Sequence, residues 1–455
     1  MSAIDATARP PGAGVRPAAG LALAGLVLLS GAGLALMLYR YPPSAAMVAV
    51  LSVGMIGVLA LAVWNYEAAV TLGFLLFGIV VFEPAPPDGV FAVVIAVAAV
   101  TGRFKVERVP LAVFILVGTF ISLNILSAIE AIDPKIAARF MTITIYVCVF
   151  GVWFTSYLDS ERRALQVMRA YIIPATIFAF LASAALFVPV PKGGLFLAYK
   201  GTRATGLFQD PNVFGPFLVP AALILLQEIL DPRLLRARTS VKLGAFLVLT
   251  GGVLFSYSRA AWGNWVVGVI VLLAVLMMRR GGSRKALAMV AMLVITTLGV
   301  AGTLAATGSL GFLEERAHIQ TYDTQRFGAQ RTGIELAAQH PAGIGPGQFE
   351  LRAPISAHST YVRTLAEQGI LGLAVIVALF LATLVFAGAN AIAGRDTYGI
   401  GSAALLGAWV GLLVNSFVVD TLHWRHLWFV AALIWVGTMR QVSWPADPRR
   451  APGAP

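Results

Sequence analysis

The chain has 455 residues, of which 59% are hydrophobic and 12% charged, with 33 Lys and Arg against 21 Asp and Glu. Soluble domains run at about 45–50% apolar and about 25% charged, so a single water-soluble fold is excluded. The formal net charge of +12 would suggest nucleic acid in a soluble protein, but in a membrane protein such an excess belongs largely to cytoplasmic loops.

The apolar runs are helix-length and lack strand-like alternation, so they are expected to span lipid as helices, with every backbone polar group satisfied internally. Residues 1–19 form a polar cytoplasmic tail, and the apolar stretch at 20–38 is too long for a cleavable signal and reads as a retained first helix. Further apolar segments fall at 44–63, 68–82, 89–101, 109–126, 136–157 and 164–188, completing an N-terminal helical region over 20–188. A loop at 189–212 leads to segments at 213–230, 241–257, 262–278 and 285–307, the central helices of 213–307. A long loop at 308–368 precedes 369–390, 398–418 and 427–439, the C-terminal helices of 369–439, and 440–455 forms the closing tail. The segments at 68–82 and 89–101 are short for a bilayer that asks for about 20 residues, so they are expected to tilt, or to form an interfacial or re-entrant hairpin around EPAPPDG. The reading is an all-α polytopic membrane protein with 12 to 14 transmembrane helices. Cys148 is the only cysteine and forms no intrachain disulfide.

With the N-terminus cytoplasmic, alternate turns carry Arg103, Lys105 and Arg108; Arg162 and Arg163; Arg233, Arg236, Arg238 and Lys242; Arg279, Arg280, Arg284 and Lys285; Arg395; and Arg440, Arg449 and Arg450, as the positive-inside rule asks. Both termini are then cytoplasmic. The opposite face should be poor in Arg, yet it holds Lys192, Lys200, Arg203, Arg259, Arg316, Arg326, Arg331, Arg352, Arg363 and Arg425, alongside carboxylates such as Glu314, Glu315, Asp323, Glu335, Glu350 and Glu367. Cations kept against a topological bias suggest an anionic ligand outside, since guanidinium forks match phosphate geometry. Pairing with the neighbouring carboxylates is the plainer alternative.

Four segments carry a resemblance. TRATGLFQDPNVFGPFL at 202–218 resembles the Arg-x-x-Gly-x-Phe-x-(Asp/Asn)-Pro-Asn segment of the O-antigen ligase and polymerase superfamily. SYSRAAW at 256–262 resembles its Ser-Arg turn, RFGAQRTGIELAAQHPAGIGPGQF at 326–349 its extracytoplasmic helix and Pro-x-Gly-x-Gly turn, and AHSTYVRTLAEQGILGL at 357–373 its His-(Ser/Asn)-x-Tyr segment ending in Glu-x-Gly-x-x-Gly. They occur in the family's order over about residues 200–390.

The resemblance implies an inner-membrane glycosyltransferase of GT-C type with a large periplasmic loop. Such an enzyme moves a glycan from undecaprenyl diphosphate to lipid A core, as a ligase, or to another carrier-linked glycan, as a polymerase, with inversion and without metal or other cofactor. Its partners would be the lipid-linked donor, the glycan acceptor and membrane lipids, with no nucleic acid.

The residues themselves reach compatible chemistry. A diphosphate leaves well once its developing charge is neutralised, and fixed guanidinium groups can serve in place of a carboxylate-held metal ion. Arg203, Arg259 and Arg326 are the candidates, with lipid snorkelling, interfacial anchoring beside Trp262 and pairing with Asp323 as their respective structural alternatives. Arg326 and Gln330 would share a helix face. His358, whose side chain spans neutral and charged states near neutral pH, is the candidate general base for an acceptor hydroxyl.

Arg331, Tyr361, Asp420 and Arg425 are candidates for supporting the pocket. Asp420, His423 and His426 form a D-x-x-H-x-x-H run, which between Trp424 and Trp428 fits an aromatic interfacial belt better than a metal site. GIGPGQF lacks the Lys-Ser/Thr of a nucleotide loop and is expected to be a compact turn. A flippase or other transporter would instead place ionisable groups near the bilayer midplane, and a structural assembly protein would have no reason to gather these residues.

Overall fold

The computed structural model describes residues 45–81, 83–279 and 321–440, with isolated positions between 287 and 302. The expected helices at 20–38 and most of 285–307, the loop residues Glu314, Glu315, Arg316 and His318, and the tail beyond 440 lie outside the described residues. The protein is an all-α polytopic membrane protein. Among the described residues six helices are long and apolar enough to span a bilayer and six shorter apolar helices accompany them.

In chain order the helices are α1 (Ala45–Trp64), α2 (Tyr66–Leu75), α3 (Pro86–Val100), α4 (Leu111–Ser127), α5 (Pro134–Tyr157), α6 (Glu161–Ala185), α7 (Pro211–Leu230), α8 (Thr239–Phe255), α9 (Arg259–Met278), α10 (Thr321–Gln339), the single turn α11 (Phe349–Arg352), α12 (Thr360–Ile392), α13 (Ser402–Asn415) and α14 (Arg425–Met439). Local chemistry sets their starts. Asp133, Ser160, Asp210, Ser258 and Ser359 are N-caps whose side chains accept from backbone N–H groups of the first turn, and Pro134 and Pro211 occupy the first helical position, where a missing N–H costs nothing.

α7 is the central helix, with 83% of its apolar window buried inside the protein. Phe217 on α7, Phe74 and Phe77 near the end of α2, Phe91, Phe150, Phe154, Tyr171 and Phe429 make one aromatic cluster with centroids about 5–6 Å apart. Small residues let helices approach: a Cβ on Gly268 would stand 3.2 Å from the Gly407 carbonyl oxygen where α9 meets α13.

The charges sort to two ends. At the lower end Arg163 binds Asp159 (2.8 Å) and Glu67 (3.1 Å), Arg108 binds Asp159, Lys242 binds Glu228 (2.9 Å), and Arg279 donates to the Ala391 carbonyl. These are the turns expected to be cytoplasmic. At the upper end Arg425 holds Asp88 through both carboxylate oxygens at 2.5 Å, and Arg139 pairs with Glu83.

The short segments resolve into a pair that crosses the full height. α2 starts beside Arg163 through Glu67, and α3 starts beside Arg425 through Asp88 in its first turn and ends where Arg103 lies 5.0 Å over the Tyr66 ring. Ten helical residues rise only about 15 Å, and extended chain covers the remaining height: β1 (Ile79–Val80) pairs in parallel with β4 (Leu207–Phe208).

Candidate active site

The upper end is assembled from five segments: the hairpin and turn at 197–212, the turn between α8 and α9, α10 with the glycine-rich turn after it, and the two junctions at 357–363 and 416–425. β2 (Leu197–Ala198) and β3 (Arg203–Ala204) pair antiparallel, which delivers Arg203 into the interior, where it is 6% exposed. Its Nε donates to the Ser256 carbonyl at 2.8 Å and its Nη2 to Asn212 Oδ1 at 3.1 Å, and the guanidinium lies 5.1 Å from the Tyr199 ring centroid. Arg203 thus ties the hairpin to the α8–α9 turn. In that turn Tyr257 takes a left-handed φ of 47° and Ser258 caps α9, so Arg259 opens the helix half-buried. The turn and the start of α7 touch at Gly215, where a Cβ would stand 2.6 Å from both Ser256 Oγ and Ala261 Cβ.

His358 also takes a left-handed φ, 45°, immediately before the N-cap Ser359. Non-glycine residues seldom adopt this conformation, and it persists only where surrounding contacts over-determine it. Those contacts are present. Gln330 Nε2 on α10 donates to the His358 carbonyl (3.4 Å) and the Phe417 carbonyl (3.2 Å), and the Thr360 N–H donates to the Ser416 carbonyl at 2.9 Å.

The His358 imidazole is held below its ordinary pKa, chiefly by burial and then by the positive charge of Arg326, with Arg363 adding to the effect and Asp210 and Asp420 opposing it. Its surroundings therefore unite α10, the 203–212 segment, α12 and the last upper turn. A half-buried imidazole kept neutral is one able to accept a proton.

Beneath His358, Arg363 is 7% exposed and sits among three carboxylates. Its Nε binds Glu367 Oε1 (3.1 Å), its Nη1 binds Asp420 Oδ2 (2.8 Å), its Nη2 binds Glu350, and its plane lies 5.0 Å from the Phe140 centroid. Burial alone would raise the Asp420 pKa, but Arg363 and His423 outweigh it and hold the carboxyl below its usual range; burial pushes His423 down to about 4.

Glu367 serves the glycine-rich turn as well, accepting from the Gly347 N–H (2.9 Å) and the Phe349 N–H (3.3 Å). That turn folds back onto a break in α12. Gly343, Gly345 and Gly347 all have positive φ, as does Gly369 (φ 73°, ψ −174°), and the Ile344 and Gly345 N–H groups donate to the Ala366 and Glu367 carbonyls while Ile370 N–H donates to Pro341. GIGPGQF is a compact turn latched to the Glu-x-Gly break, and Gln348 carries the latch to the α4–α5 connection through Asp133 (2.9 and 3.1 Å).

The predicted residues divide. Arg326, His358 and Asp420 lie within one electrostatic neighbourhood, and Arg203 and Arg259 flank the same α8–α9 turn. Tyr361 directs its hydroxyl to the Leu413 carbonyl (3.1 Å) and packs on Phe417, and Arg425 grips Asp88, so both brace the frame. Arg331 projects to the surface and pairs with Glu335 one turn on.

The D-x-x-H-x-x-H side chains disperse: Asp420 to Arg363, His423 Nε2 to Thr144 Oγ1 at 2.9 Å, and His426 against Trp424 and Phe217. Sequence reading singled out Asp420 but not Arg363, Glu350, Glu367 or Asp210. The i, i+4 spacing of Arg363 and Glu367 ahead of a Gly-x-x-Gly break was the available signal for the first, and Asp210 stood in view in the Asp-Pro-Asn turn.

Residues 244–377 match the family model described as O-antigen ligase. The matched stretch holds Arg259, Arg326, His358, Arg363 and Glu367, whereas Arg203, Asp210 and Asp420 lie on either side of it and reach the same site through the fold. No curated protein matches the chain.

Proposed function

We propose, from the match of residues 244–377 to the O-antigen ligase family model, that this chain is an inverting, metal-independent glycosyltransferase of the bacterial inner membrane, with both termini cytoplasmic and its site periplasmic. It would move a glycan from undecaprenyl diphosphate to an acceptor sugar, as an O-antigen ligase does. The observation that carries this reading is His358, held neutral on strained backbone between Arg326 and the Asp210 turn.

In this reading the imidazole takes the proton of the acceptor hydroxyl as its oxygen bonds to the anomeric carbon. The bond from that carbon to the diphosphate oxygen breaks on the opposite face, inverting the centre, and the electron pair leaves with the diphosphate. Arg203, Arg259 and Arg326 are the fixed cations that meet that charge. Arg363 supports the metal-independent reading because it stands among Glu350, Glu367 and Asp420, the place an ion would take in a carboxylate cage. Tyr361, Asp420 and Arg425 are assigned to support rather than to chemistry.

A polymerase of the same superfamily would use the same donor site with a different acceptor. A lipid-linked oligosaccharide flippase is less well supported, because among the described residues the ion pairs gather at the two ends of the bundle instead of its middle. Glycolipid analysis of a deletion strain separates these readings. Lipid A core without attached glycan marks a ligase, core bearing one repeat marks a polymerase, and carrier-linked glycan trapped in the inner leaflet marks a flippase and overturns the proposal.

A further inference from the structure

The hairpin that delivers Arg203 has an outer face that the reaction above does not use. From Glu161 to Asp210 the chain contains no acidic residue, and within that run Lys192, Lys200 and Arg203 follow one another closely. Lys192 and Lys200 are exposed, and within a few residues of them in the chain Val188, Leu195 and Tyr199 are 54%, 53% and 61% exposed.

The backbone under both lysines is left-handed. Lys192 has φ 55°, and Tyr199 and Lys200 have φ 51° and 59° in the turn closed by the Gly201 N–H to the Ala198 carbonyl (3.2 Å). Such turns normally take Asn and Gly at these positions, because a Cβ strains them. Side chains held where glycine would be unstrained point to a use for the side chains.

We propose that this hairpin is a docking surface for the headgroups of anionic phospholipids at the membrane interface. Lys192 and Lys200 receive the phosphodiester, and Val188, Leu195 and Tyr199 enter the boundary between headgroups and acyl chains. Charge complementarity selects this occupant. A surface of exposed apolar side chains set between lysines, with no carboxylate in the run, matches an amphiphile whose head is anionic. The Tyr199 ring that faces the interface also lies under the Arg203 guanidinium, so the docked surface braces the arm that carries Arg203.

The test uses the full chain in nanodiscs, with L195W as reporter and the parental fluorescence subtracted. Brominated phosphatidylglycerol should quench the reporter more than brominated phosphatidylcholine, a preference of roughly fivefold per lysine that weakens as salt rises. K192G/K200G should abolish the preference while keeping helicity and melting temperature, because glycine relieves the left-handed φ, and K192R/K200R should retain it. Should the glycine variant fail to fold, K192Q/K200N serves in its place. Native mass spectrometry of lipids retained by the unmodified chain gives a reading that needs no reporter. Equal quenching by the two lipids, or a preference that survives loss of both lysines, overturns the proposal.

Discussion

Gly369→Ala should unlatch the site without touching any residue assigned to chemistry. At φ 73° and ψ −174° the position lies in a region populated by glycine alone, and an added Cβ would overlap the Pro341 carbonyl oxygen and stand 2.6 Å from the Ala342 carbonyl carbon. Strain of this kind is on the order of 1–3 kcal/mol. Both contacts are with backbone, so relief means moving the 341–345 segment away. That sacrifices the bonds Ile344 to Ala366 (2.9 Å), Gly345 to Glu367 (3.0 Å) and Ile370 to Pro341 (3.1 Å), at about 1 kcal/mol each.

The total is about 5 kcal/mol, or roughly a thousandfold or more in the local opening equilibrium at 1.4 kcal/mol per decade. Hydrogen–deuterium exchange of the peptides covering 341–349 and 366–370 reads this directly. Gly388→Ala on the same helix is the control: its Cβ would meet nothing within 4 Å, and alanine is the better helix former. Exchange and melting that do not distinguish the two variants would refute the latch.

His358→Ala should lower turnover by about 10²–10⁴-fold with insertion intact. Because the folded imidazole pKa lies below the ordinary 6.5, the acid limb of the wild-type rate should fall below that pH, and the alanine variant should lack it; a limb at or above 6.5 would contradict the assignment. In proteoliposomes a chelator should leave transfer intact while Arg203→Lys weakens it, since an ammonium cannot reproduce bonds to both Ser256 and Asn212; activity restored by Mg²⁺ after chelation would exclude the fixed-cation mechanism. Arg363→Met should destabilise by about 3–5 kcal/mol, leaving buried carboxylates uncompensated, whereas Arg331→Ala should stay within about 0.5 kcal/mol, as thermal melting of the purified variants would report. Asp420, lowered in the fold from its ordinary 3.8, contributes stability above that value that is lost as pH falls through the folded pKa, so acid melting of Asp420→Asn should show a shallower decline than wild type.

Helix placement was legible because apolar runs are local signals: the segments at 136–157 and 213–230 fall within α5 and α7, which begin two residues earlier, at Pro134 and Pro211, behind the N-caps Asp133 and Asp210. The Gln330 and Arg326 face was legible for the same reason, being one helical turn. What was hidden is long-range. Nothing in AEQGILG announces that Gly369 receives a turn more than twenty residues earlier, and the pairing of Ile79 with Leu207 that completes the height of α2 has no local signature. Arg363 was visible only as one more outer cation, since the convergence of Glu350 and Asp420 on it depends on tertiary packing. Arg331 misled for the opposite reason: sequence proximity to Arg326 put it in the same motif, while helical rotation by five residues turned it to solvent.

The Asp88–Arg425 pair joins residues 337 apart, which sets an order on biosynthesis. At roughly 5–20 residues per second a ribosome takes about 20–70 s between the two, so the carboxylate of α3 must wait through the insertion of nearly every later helix before its guanidinium arrives. A nascent chain that stops short of α14 lacks the guanidinium that answers the Asp88 carboxylate. The upper rim therefore closes only once Arg425 has been made and reaches Asp88.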